Sequence, residues 1–110
     1  MDLRQILITP PIKKAILEIN PEMDLSPFKL RKSMAGFRLS RMSLMMSADF
    51  EQLLNLHPIE IKPALIRGRK MGCIIDGKMK PLYDITNGRH RVARAIIEGY
   101  KQVNVKILSS

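Results

Sequence analysis

Residues 87–94 hold the densest group of side chains able to do chemistry. Asn87, Gly88, Arg89, His90, Arg91 and Arg94 lie within eight positions. Asn87-Gly88 is a chain-reversal signal, because both residues tolerate positive φ at low cost. The residues after it carry the apolar spacing of a helix. A turn of this kind puts unpaired backbone N–H groups and the positive end of the helix dipole on one side, which suits an anion. Cations in a first helical turn oppose that dipole, so helix stability does not account for Arg89, His90, Arg91 and Arg94. Phosphate contact would. A solvated basic face is the plainer alternative, and the residues of the turn leave both open.

The elements that must position this turn follow from periodicity. Leu82, Tyr83 and Ile85 predict a short strand before it. Val92, Ala93, Ala95, Ile96 and Ile97 give a helical stripe that Gly99 stops, and Val103, Val105 and Ile107 alternate as a second strand. Upstream, Asp76-Gly77 predicts a hairpin between Met71–Ile75 and Met79–Ile85, and Arg67-Gly68-Arg69-Lys70 reads as a basic loop. Ile59 to Ile66 predicts a strand that Pro63 sends to a sheet edge or into a bulge. Ser47, Ala48 and Asp49 open a helix through Leu56, ended by His57-Pro58. Near the start, Asp2–Thr9 predicts a strand and Ile12–Ile19 a short helix. Ser26-Pro27 predicts another helix start.

The segment at about 27–46 mixes Phe28, Leu30, Met34, Phe37, Met42, Met45 and Met46 with basic residues, and Gly36 weakens its helix propensity. It reads as a marginal helix or a structured arm. It would either lie on a partner or pack as an ordinary helix with a basic face.

Asn87 to Ala95, with a strand before and Gly99 and Val103-Asn104-Val105 after, resembles the signature of the ParB/sulfiredoxin superfamily. The resemblance covers about Tyr83 to Ile107, continues weakly over Phe50 to Ile61, and leaves the 27–46 segment outside the family core. It implies one ParB-like domain over residues 1–110, α/β (α+β) in class, with a small mixed sheet and covering helices. In that family the glycine and basic residues of this turn hold phosphates of a nucleotide or lie close to nucleic acid. Arg89 stands where sulfiredoxins have their catalytic cysteine, so sulfinic acid reduction is not expected. It also stands where CTP-binding ParB proteins have glutamate, and neutral Asn87 replaces the acid of related metal-using members.

The chain has 110 residues, with 19 Lys and Arg against 10 Asp and Glu, a net charge of +9. So basic a domain favours an anionic partner. Lys29, Arg31, Lys32, Arg38 and Arg41 form one basic patch and Arg67, Arg69 and Lys70 part of another, an extended contact if they share a face with the turn. Five aromatic residues give a base-stacking platform little support. One cysteine and two histidines give no metal-ligand spacing, and Cys73 reads as a small buried hydrophobe. No stretch is apolar enough to span a membrane and no signal peptide pattern opens the chain, so an intracellular location (cytoplasm, nucleoid or nucleus) is expected.

The expected function is nucleic-acid binding, DNA more than RNA, through phosphate contact at Gly88–Arg91, with Arg91 the leading residue. Arg91→Ala is expected to weaken anion binding without unfolding the domain. One alternative is a nucleotide-dependent enzyme, a hydrolase, nuclease or kinase, with His90 as proton-transfer group and Asp49 or Glu51 brought near by the fold. No cofactor is assigned from the residues; that alternative would call for a nucleoside triphosphate with Mg. A protein-interaction domain that keeps the fold without ligand is the third reading.

Overall fold

The structure is a computed structural model, and it describes residues 1–33 and 37–108. The elements in chain order are α1 (Pro10–Ile19), α2 (Met42–Ser47), α3 (Phe50–Leu56), β1 (Ile59–Pro63), β2 (Leu65–Ile66), β3 (Arg69–Lys70), β4 (Gly72–Ile75), β5 (Lys78–Pro81), β6 (Tyr83–Asn87), α4 (Arg89–Ile97) and β7 (Val105–Ile107). Short 3-10 turns occupy Leu3–Gln5 and Leu39–Arg41. The strands form one three-stranded sheet, β6-β1-β7, and two two-stranded ribbons, β2-β3 and β4-β5. In the sheet β1 runs antiparallel to β6 and parallel to β7. The class is α+β with a small mixed sheet, as the sequence implies.

The main core forms where α1 and α4 pack together over the sheet. Ile12, Ala15 and Ile16 of α1 meet Val92, Ala93, Ala95 and Ile96 of α4 and Ile59 and Ile61 of β1. Their spacing puts each set on one helix face or one strand face. The stretch Ile6-Leu7-Ile8 alternates as an extended chain should: Ile6 and Ile8 enter this core, and Leu7 enters a second cluster with Ala64 and Leu82.

Several sequence expectations need correction. Asp2–Thr9 is not a strand. Asp2 caps the 3-10 turn by accepting the Arg4 N–H, and the residues after it make only isolated bridges, Ile6 to Tyr83 and Ile8 to Leu30. No helix starts at Ser26-Pro27, because Asp24 takes the Ser26 N–H into a local turn instead. The expectation for Met34 and Gly36 lies outside the described residues; beyond them the segment forms the short helix α2. Arg69 and Lys70 are strand rather than loop, paired with Ile66 and Leu65 across an Arg67-Gly68 turn in which both residues have positive φ.

Pro63 did not send β1 to the edge. β1 is the central strand and stays in register with β6 at Pro63; the one register shift lies between Glu60 and Ile61, where Thr86 of β6 is the extra residue. The proline is tolerated because β7 pairs only with Ile59–Ile61, so Pro63 lies beyond that ladder and its missing N–H leaves no partner unmet. The Asp76-Gly77 hairpin forms, with both turn residues at positive φ, but its second arm ends at Pro81 and Tyr83–Asn87 pairs with β1 instead. Arg4 donates to Asp76 at 3.0 Å and to Asp2 at 2.7 Å, so the hairpin turn is tied to the chain start. The Arg4 guanidinium holds both carboxyls below the usual carboxylate range.

Candidate anion-binding turn and cleft

Strand β6 delivers the chain to Gly88, the N-cap of α4, at φ 104° and ψ 29°. Only glycine adopts that conformation freely. A Cβ at this position would lie 3.1 Å from Cζ and Nε of Arg91, so the guanidinium rests against the glycine itself. The same side chain donates through Nη1 to the carbonyl of His57 and, at 3.0 Å, to that of Pro58. Arg91 therefore closes the C-terminal end of α3 onto the first turn of α4. Burial pushes its pKa below the ordinary arginine value, partly offset by the nearby Glu60 carboxylate.

Arg94 is also turned inward. It donates to the carbonyls of Met45 and Ala48, pairs with Glu98 at 3.2 Å, and lies over the Phe50 ring at 4.7 Å. Arg91 and Arg94 are both buried, and each donates to two backbone carbonyls outside α4. The residue with the strongest expected ligand role, Arg91, thus has a structural one in this geometry. The reason is that carbonyls at helix ends have no intrahelical donor, and a guanidinium offers several N–H groups in a fixed fork.

The other residues of the turn are differently placed. Asn87 donates to Glu60 at 3.1 Å, across the β1–β6 ladder. His90 stacks on Phe37 with ring centroids 4.4 Å apart, and its Nε2 lies 3.1 Å from the Arg38 nitrogen and 2.9 Å from the Arg38 carbonyl oxygen. The ring either accepts from that N–H or donates to that carbonyl, according to its protonation. In both cases His90 holds the arm against α4. His90→Ala is expected to free residues 37–41, seen as faster tryptic cleavage at Arg38 and Arg41. The melting temperature should fall little, since the contact is exposed and worth about 1 kcal/mol or less.

Arg89 remains half exposed, with one hydrogen bond of 3.1 Å to the Ile85 carbonyl. It helps to line a cleft of about 210 Å³ with Thr9, Arg31, Lys62 and Asp84. Arg31 is fixed there by the Leu65 carbonyl at 2.8 Å, the Met71 sulfur at 3.1 Å and Asp84 at 3.7 Å. Lys29, Lys32, Arg38, Arg41, Arg67, Arg69 and Lys70 are all exposed. Among the described residues, Arg31 is the member of the first basic patch whose side chain bonds to residues flanking the second, Leu65 and Met71.

Comparison with protein-family models, with curated proteins and with solved structures returned no match.

Sequence reasoning missed Thr9, Lys62 and Glu60. Thr9 reads only as a strand end before Pro10-Pro11, and Lys62 and Glu60 gain their neighbours from the β1–β6 register, which no local pattern encodes. The acids considered as partners for His90 lie elsewhere. Asp49 caps α3 by accepting the Gln52 N–H, Glu51 is exposed on the same helix, and neither bonds to His90 among the described residues. Among the described residues no three His, Cys, Asp or Glu side chains group as metal ligands. No helix among them is long and apolar enough to cross a membrane.

Proposed function

We propose that this chain is a nucleic-acid-binding domain that contacts backbone phosphate through its basic ribbons and the half-exposed start of α4. One observation carries the reading. Arg67, Arg69 and Lys70 on the β2–β3 ribbon and Lys78 and Lys80 on β5 are all exposed, and none pairs with a carboxylate among the described residues. Exposed cations that make no salt bridge are available to neutralise phosphate, which is the sequence-independent part of nucleic-acid affinity. The ribbons also expose Ile66, Ile74 and Met79, apolar side chains that can pack on sugar and base edges. The likeness of residues 83–107 to the ParB/sulfiredoxin signature supports the same class of partner. Arg91 and Arg94 are framework residues in this reading, and Arg89 is the contact within the turn.

The test is a titration with duplex DNA, single-stranded RNA and nucleoside triphosphates at several salt concentrations. Polymer binding should fall steeply with salt. Replacing Arg67, Arg69 and Lys70 together by Gln should weaken it and reduce the log–log salt slope by up to about three, with the fold unchanged. Failure of both polymers to bind at low salt would sink the proposal, and an unchanged slope would remove the β2–β3 ribbon from it.

A further inference from the structure

We infer that the cleft bounded by Thr9, Arg31, Lys62 and Arg89 is a binding site for the terminal phosphate of a phosphomonoester. The four residues come from four separate segments: the N-cap of α1, the extended chain after it, the middle of the sheet, and the first residue of α4. Three cationic side chains face one carboxylate, Asp84, which is the β-ladder partner of Lys62 and lies 3.7 Å from Arg31. The cleft therefore carries an excess of positive charge. Two of its cations are also held in place, Arg31 by the Leu65 carbonyl and Arg89 by that of Ile85, and each keeps further N–H groups for a ligand.

Thr9 is the second and independent observation. It is 6% exposed and its hydroxyl is buried with no hydrogen-bond partner among the described residues. It is the N-cap of a ten-residue helix, yet its side chain makes no cap bond: Pro11 has removed the N2 donor, and the hydroxyl does not take the remaining Ile12 N–H. Buried hydroxyls are rarely left unpaired. Thr9 lines the cleft at the positive end of the α1 dipole, where a ligand oxygen would satisfy a hydroxyl that the protein leaves unpaired.

The chemistry of the ligand follows from charge and size. A dianionic terminal phosphate has three oxygens for these donors, whereas a bridging phosphodiester has two and a single charge. About 210 Å³ falls below the roughly 300 Å³ at which small-molecule pockets usually begin, so the phosphate enters and the group it is attached to stays outside. That group can be a nucleic-acid strand end or a free nucleoside. The inference deepens the preceding reading in the first case and stands without it in the second.

The experiment compares full-length wild type with Thr9→Val and Lys62→Met. The probes are 5′-phosphorylated and 5′-hydroxyl single strands of one sequence and a nucleoside monophosphate, all at fixed ionic strength. Wild type should prefer the phosphorylated strand by about tenfold, the effect of one or two charge-assisted hydrogen bonds, and each variant should lose most of that preference. Thr9→Val is isosteric and removes an unpaired hydroxyl, so its melting temperature should hold or rise while binding falls. A hydroxyl with only a structural role would not give that split. Lys62 is exposed, so its loss does not threaten the fold. Equal binding of the two strands by wild type, or a preference that survives both variants, overturns the cleft and leaves nucleic-acid binding standing. A bound monophosphate with neither strand bound keeps the cleft and overturns nucleic-acid binding.

Discussion

Arg94→Met is expected to destabilise the domain by about 3 kcal/mol, which for a chain of this size lowers the melting temperature by roughly 10 °C or more. The guanidinium donates to the carbonyls of Met45 and Ala48, at the C-terminal end of α2. A six-residue helix has too few internal hydrogen bonds to hold itself, so its place depends on what ties it to α4. Methionine removes the guanidinium from over the Phe50 ring, leaves the Ala48 carbonyl without its donor and leaves the Met45 carbonyl only the long 3.4 Å bond from the Ala48 N–H. The Glu98 pair adds little, since Glu98 is a third exposed at the surface end of the contact. Arg94→Lys should recover only part of the loss, because one ammonium cannot match the fork. Thermal unfolding followed by circular dichroism reads this directly. A shift of under about 3 °C, less than one net hydrogen bond, would mean that Arg94 does not hold α2 in place.

The second large effect belongs to Gly88. Gly88→Ala is expected to cost about 2–4 kcal/mol, from two sources that can be separated. One is backbone strain at φ 104°, which any L residue incurs. The other is steric, because the new Cβ would stand 3.1 Å from the Arg91 guanidinium and push it off the His57 and Pro58 carbonyls. Arg91→Met alone should cost a comparable amount through those unpaired carbonyls. The double variant should then be less destabilised than the sum of the two by about 1 kcal/mol, since with the guanidinium gone the Cβ has room. Urea unfolding of the four proteins gives the coupling. Strict additivity would show that the close approach carries no energy and that strain alone explains the glycine.

Both results bear on function, because the earlier expectation for Arg91→Ala was weaker anion binding in a folded domain. In the geometry described, loss of Arg91 disturbs the fold first. A binding defect in such a variant is informative only beside its unfolding curve. Arg89 and Lys62 are the cleaner probes, as neither anchors another element's helix end.

What the sequence determined by itself is what neighbouring residues can settle among themselves. The Asp76-Gly77 turn, α4 with Gly88 before it and Gly99 after it, and the Asp49 cap of α3 were legible, because positive φ, capping and periodicity are local properties, whereas the strand expected from Val103 holds only Val105–Ile107 and leaves Ile107 exposed. The α+β class followed from their order. Tertiary structure decided what each cation does. The bonds of Arg91 reach back 34 and 33 residues and those of Arg94 reach back 49 and 46, to carbonyls whose need for a donor exists only once α2 and α3 have ended where they do. In one dimension Arg89, Arg91 and Arg94 look alike. The helical turn directs the last two into the core and leaves the first on the rim of a cleft with Thr9, Arg31 and Lys62, which come together only through the β1–β6 register and the packing of α1.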